Sequence, residues 1–195
     1  MAERDKLFAA AISALASARG EEREAAANTI FRIACAEAAP FVETWARDAE
    51  LAGLIAAPDA AITAGAAVER KLFDAIRGAN GSPRLSDVPR DQDVLEFQLK
   101  FGAETRLEIL TTNDPFGNGA VARYLKKFGS NIQHVEIATS DVDRATEILR
   151  TRFAIQPVYP AARAGGDGSR INFFLVERSA GKKLLIELEQ EPPRS

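Results

Sequence analysis

Apolar residues recur at three- and four-residue steps through roughly the first eighty positions, then at alternate positions through much of the remainder. Leu7, Phe8, Ala11, Ile12 and Leu15 share one helical face, and Gly20 supplies a stop. Ala26, Ile30, Ile33 and Ala34 draw a second stripe that Pro40 punctuates. Phe41, Trp45, Ala49 and Ala52 draw a third, closing near Pro58, and Val68, Leu72, Phe73 and Ile76 a fourth, ended by Gly78. A small helical bundle is expected. The stretch from Gly78 to Asp91 carries two Gly and two Pro and reads as a linker.

Beyond it the period changes. Residues 94–100 and 105–112 alternate and are joined by Phe-Gly-Ala-Glu, which predicts a hairpin. Residues 118–128 predict a helix, with Val121, Tyr124, Leu125 and Phe128 on one face and Gly129 as its C-terminal stop. Residues 131–139 predict a strand. A helix then starts near Ser140 and Asp143, a near-capping-box pair, and continues through Val142, Ala145 and Leu149. Three further strands are predicted at 155–159, 170–177 and 183–190. The expected fold is α+β: a helical region over 1–80, a linker over 81–92, and over 93–195 a βαβββ module preceded by a β-hairpin.

Composition agrees with this division. Residues 1–90 hold 26 alanines and residues 91–195 only 10, matching the high helix propensity of Ala to the first half. With 46 % hydrophobic and 27 % charged residues the chain is too apolar to be disordered. A net charge of −3 argues against binding nucleic acid or an anionic membrane. No apolar run reaches the roughly 18 residues of a membrane span. The charged start, Met1 to Lys6, leads into an Ala-rich amphipathic stretch rather than a signal-peptide core, so a cytoplasmic protein is expected. The single cysteine, Cys35, removes internal disulfides and cysteine metal cages, and its stripe makes it a core residue.

Candidate chemistry comes from strand alternation. One face apiece carries Arg106 and Glu108, then His134 and Glu136, then Glu187 and Glu189, with Asn172 and Phe174 expected on the polar side of the strand beginning at Arg170. On a curved sheet that face is a cup. One imidazole and two carboxylates, His134 with Glu108 and Glu187, suit a divalent ion such as Zn, Fe, Mn, Co or Ni. An open coordination position there would polarise a substrate oxygen, and Glu136 would orient His134 or act as a base. Arg106 and Asn172 are the candidate substrate contacts. The plainer reading is a solvated sheet face whose charges pair across strands for about 1 kcal/mol or less. For Arg106, and for Glu108 and Glu187 taken singly, that reading leads; for His134 both stay open. Ala164-Gly-Gly-Asp-Gly-Ser lacks the Gly-Lys-Ser/Thr ending of a phosphate loop and reads as a flexible connection, with a lid over the cup as the alternative.

The two hairpins echo each other, each closing on a glutamate between aliphatics, Glu108 and Glu187. Thr105-Arg-Leu-Glu-Ile-Leu, Asp114-Pro, Ala122-Arg-Tyr-Leu-Lys-Lys-Phe-Gly129, Ile132-Gln-His-Val-Glu-Ile and the closing Lys183-Leu-Leu-Ile-Glu-Leu-Glu follow in an order that resembles the vicinal oxygen chelate superfamily, the glyoxalase/bleomycin-resistance/dioxygenase group. Within it the order is most similar to methylmalonyl-CoA epimerase and 4-hydroxyphenylpyruvate dioxygenase. The resemblance covers residues 93–190. It implies two βαβββ modules forming a cup around one metal, with Glu108, His134 and Glu187 as ligands, and Glu187 with Glu136 as the proton-transfer pair of an epimerase-like reaction. A fourth ligand is expected from a β-α unit before residue 93, where residues 50–59 faintly echo 132–141 with Ala52 in the histidine position. Two functions follow. One is a metal-dependent isomerase, lyase or dioxygenase acting on a small oxo- or carboxyl-bearing metabolite. The other is a non-catalytic small-molecule-binding or interaction protein with a degenerate cup. A homodimer is expected in either case, because a lone module leaves a sheet edge exposed.

Overall fold

The structure, a computed structural model, describes residues 3–55, 62–178 and 183–192. In chain order its elements are α1 (Glu3–Ala14), α2 (Gly20–Trp45), α3 (Ala49–Leu54), β1 (Ile62–Ala67), α4 (Arg70–Ala79), β2 (Leu95–Phe101), β3 (Thr105–Thr111), α5 (Ala120–Phe128), β4 (Asn131–Ala138), α6 (Val142–Arg152), β5 (Arg163–Ala164), a single 3-10 turn (Gly166–Gly168), β6 (Arg170–Glu177) and β7 (Lys183–Gln190). The class is α+β, with a helical N-terminal region as expected. The chain divides into two compact units, each drawing on both halves of the sequence: Met1–Ala34 with Thr63–Gln133, and Cys35–Ile62 with His134–Ser195. Residues 81–92, expected to link two domains, lie inside the first unit.

Three elements depart from those predicted, two of them for clear physical reasons. Helix α2 runs through Pro40, which was expected to end a helix, and absorbs Phe41 and Trp45 of the third stripe, while Ala49 and Ala52 fall in α3. Proline removes one backbone N–H, but Pro40 is exposed and stands among alanines that carry the best helix propensity. Strand β1 was not predicted. Its Ile-Thr-Ala-Gly-Ala-Ala is poor in β-formers, and all six residues are buried, so no alternation marks it. Residues 155–159 form no strand, contributing one isolated bridge between Pro157 and Phe174.

In the first unit the strand order is β2-β3-β1. β2 and β3 form the predicted antiparallel hairpin, turning through Gly102 at φ +60°. β1 lies parallel to β3, and α4 begins three residues after it. Parallel strands need such a crossover connection. Phe97, Leu107 and Ile109 share the face that meets α4, where the Phe73 and Phe97 rings pack edge to face at 4.8 Å. Asn80, the C-cap of α4, donates its amide to the Leu15 carbonyl, tying α1 to α4, and the Thr105 hydroxyl donates to Asn28 of α2. Near α5, Ala67, Leu110 and Val121 form a small apolar cluster with Tyr124 and Leu125 against it.

The second unit repeats the plan with one more strand, in the order β4-β7-β6-β5. β4 lies parallel to β7, β6 antiparallel to β7, and α6 is the crossover. The N-cap of α6 is Asp141, which accepts from the Arg144 N–H, in place of the expected Ser140–Asp143 box. Val142, Ala145, Ile148 and Leu149 of α6 are buried, as are Val135, Ile137, Phe174, Ile186 and Leu188 of the sheet. A set of exposed charges links α6 to α3: Arg152 reaches Asp48 and Glu50 at 2.8 and 2.5 Å, and Arg144 also reaches Glu50.

Hydrogen bonds from Arg152 hold the Asp48 carboxyl below its usual range, and those from Arg144 and Arg152 do the same for Glu50. A carboxylate depressed on folding stabilises the fold above its unfolded value of about 4 and loses that contribution as pH falls through the folded value. Arg152→Ala is therefore expected to melt below the wild type at pH 7. The gap should close as pH drops below about 4, and shrink in about 1 M salt. A gap that persists unchanged down to pH 2 contradicts this role.

Candidate functional site

Paired residues on adjacent strands present their side chains to the same side, so register assigns faces. In the second unit Glu136 pairs with Glu187 across the parallel β4–β7 ladder, and Glu187 pairs with Phe173 across β7–β6. Two residues before Glu136, His134 shares that face. Its Nε2 lies 3.3 Å from Glu187 Oε2, an ion-pair distance when the ring is protonated. His134, Glu136 and Glu187 are all buried, at 3, 6 and 8 % exposure. The His134 ring stands edge-on to Phe173 at 6.3 Å, and Phe173 to Tyr159 at 6.1 Å. An imidazole, two carboxylates and an aromatic floor thus share one face of a single sheet. A solvated surface does not bury its acids in this way.

Glu108 occupies the matching place in the first unit. It pairs with Gly65 of β1 and Gln98 of β2, as Glu187 pairs with Glu136 and Phe173. The register therefore identifies the counterpart of His134 as Thr63, two residues before Gly65. The fourth donor sought before residue 93 belongs to β1, and the position holds a threonine. Residues 50–54, the start of the supposed echo, are helical, and 56–59 lie outside the described residues. Sequence reasoning missed β1 because the signal it looked for, a histidine in a strand, is absent there.

Arg106 pairs directly with Lys100 on β2, so the cross-strand ion pair expected of it is not made with that neighbour. Asn172 corrects the expected face. It pairs with Leu188, on the opposite side from Glu187, and is fully buried. Its amide donates to the Tyr159 carbonyl and accepts from the Tyr159 N–H, at 3.2 and 3.3 Å. Phe174 lies on the same side as Ile186, also away from Glu187.

The implied metal can be set against this donor set. His134 and Glu187 supply two close donors, whereas a catalytic divalent ion is usually held by three protein ligands. Among the described residues no group of three His, Cys, Asp or Glu side chains is arranged to hold an ion. His134 and Glu187 are the residues of the second unit that would hold a divalent ion. Among the described residues, too, no helix is long and apolar enough to cross a membrane.

No protein-family profile matches the chain, and no curated protein does. Solved structures do. Methylmalonyl-CoA epimerase from Mycobacterium tuberculosis is similar over 72 % of this chain and 91 % of its own, at 26 % identity and a TM-score of 0.58. A methylmalonyl-CoA epimerase in complex with methylmalonyl-CoA and NH4+ matches over 72 and 96 % of the two chains, at 25 % identity and 0.57. A Ser→Thr variant of the Streptomyces coelicolor epimerase in complex with 2-nitronate-propionyl-CoA matches over 67 and 93 %, at 26 % identity and 0.56. The structural neighbours are thus vicinal oxygen chelate enzymes. The likeness is not confined to the C-terminal half: 72 % of the chain is more than residues 93–195, 103 of 195, can supply.

The double hydrogen bond to Tyr159 makes Asn172 a positioning residue for the segment before β5. Asn172→Ala would leave the half-buried Tyr159 peptide group without this partner and is expected to cost about 1 kcal/mol or more in denaturant unfolding. A cost near zero, with ligand binding alone affected, would return Asn172 to the substrate-contact role.

Proposed function

We propose that this chain is an isomerase of the vicinal oxygen chelate type, moving a proton at the carbon beside the thioester carbonyl of a small carboxylated acyl-CoA. The observation that carries the reading is the pairing of Glu136 with Glu187 on one sheet face, with His134 3.3 Å from Glu187. Similarity to methylmalonyl-CoA epimerases of known structure supports the choice of ligand. Glu187 is the base that removes the α-proton, because its carboxylate is buried and oriented by the imidazole. His134 positions that carboxylate and offsets its charge when protonated. Glu136, beside it on the neighbouring strand, is the second proton-transfer group. A divalent ion held by His134 and Glu187 would polarise the thioester carbonyl.

One observation favours the non-catalytic alternative. The first unit holds Thr63 and Gly65 where the second holds His134 and Glu136, so half of the repeated chemistry is missing. Exchange of the α-proton of methylmalonyl-CoA in D2O, followed by proton NMR, separates the two. The wild type is expected to wash in deuterium, and Glu187→Gln to lose about 100-fold or more of that rate. His134→Ala should lose less. Binding without exchange in the wild type would establish the binding-protein reading instead.

A further inference from the structure

The face that carries His134, Glu136 and Glu187 does not stop at Phe173. Ile171, two residues earlier on β6, pairs with Glu189 on one side and with Arg163 of β5 on the other. Register therefore brings the Arg163 side chain onto the same face, at the margin of the sheet. The Arg163 guanidinium carbon lies 4.8 Å above the centre of the Tyr159 ring, and Tyr159 leads through Phe173 to His134. Along one face run a cation, two half-buried aromatic rings, and the buried imidazole and acids.

Arg163 is also held firmly in place. The connection after β5 closes on itself, the Gly165 N–H donating to the Ser169 carbonyl and the Ser169 N–H to the Gly166 carbonyl. A Cβ on Gly165 would lie 2.5 Å from Ser169 Oγ and 2.6 Å from Ile171 Cγ2, so only glycine permits this close approach to β6. The segment expected to be a flexible connection or a lid is a closed turn that pins the end of β5. On the other side Asn172 fixes Tyr159 through its backbone.

We infer that Arg163, stacked on Tyr159, binds an anionic oxygen group of the ligand, a carboxylate or a phosphate, while the reacting carbon meets Glu187. This rests on the ligand site proposed above and adds the part of the ligand recognised at the margin. Stacking uses the flat face of a guanidinium, whereas carboxylate and phosphate are gripped by its edge, so the two interactions are compatible. Phe173 and Tyr159 offer apolar surface to whatever joins the two ends of the ligand.

The test is calorimetric titration of the full-length protein with methylmalonate and, separately, with coenzyme A. The first offers carboxylates without phosphate, the second phosphates without a carboxylate. The wild type is expected to bind at least one probe. Arg163→Gln should weaken that probe about tenfold or more, with Arg163→Lys intermediate and melting temperatures unchanged. The probe affected identifies the anion. Tyr159→Leu should weaken the same probe severalfold and Tyr159→Phe should not. Equal affinities, within about twofold, for wild type and Arg163→Gln overturn the assignment of Arg163 while leaving the proposed site standing. A wild type that binds neither probe overturns both.

Discussion

In each unit a strand leads into a helix, and the chain returns to lay its last strand parallel to the first, in a register that sets one glutamate opposite a defined partner. Glu108 faces Gly65, and Glu187 faces Glu136. Side chains alternate along a strand, so slipping either ladder by one residue would turn every member of the set to the other side. The buried Leu107 and Ile109 of one unit, and Ile186 and Leu188 of the other, resist that slip because they would leave the core. The polar face is therefore fixed by the apolar one. His134 reaches Glu187 because Val135 and Ile137 are anchored on the opposite side of β4.

Much of this frame was legible in the sequence. The alternation in 94–100 and 105–112, the glycine after Phe128 and the repeated glutamate between aliphatics located both hairpins and the faces of Glu108, Glu136 and Glu187. What escaped notice was buried on both sides or irregular. β1 has small residues throughout and neither alternation nor β-branched bulk beyond Ile62 and Thr63, so it passed for part of a helical half. Without it the first module lacks an opening β-α unit when read from the sequence. β1 and α4 supply the missing opening unit. The face of Asn172 was not legible because β6 is buried on both sides of the alternation around it; the register with Leu188 assigns it.

The two units have kept different parts of the same plan. The second carries a histidine, two paired acids and an aromatic floor on one face. The first keeps the closing glutamate but puts Thr63, Gly65 and Gln98 around it. Burying acids is costly even where they have partners, so a sheet that hides Glu136 and Glu187 beside an imidazole gains little in stability over an apolar one. Chemistry is the economical explanation for keeping them.

The central claim is that a ligand sits on the face shared by β4, β7 and β6. Titrating isotope-labelled protein with methylmalonyl-CoA and following backbone amide shifts tests it directly. The account predicts the largest shifts at His134, Glu136, Phe173 and Glu187, with smaller ones toward Arg163. Saturable binding whose shifts are confined to residues remote from those strands, such as α1 or α4, would contradict it.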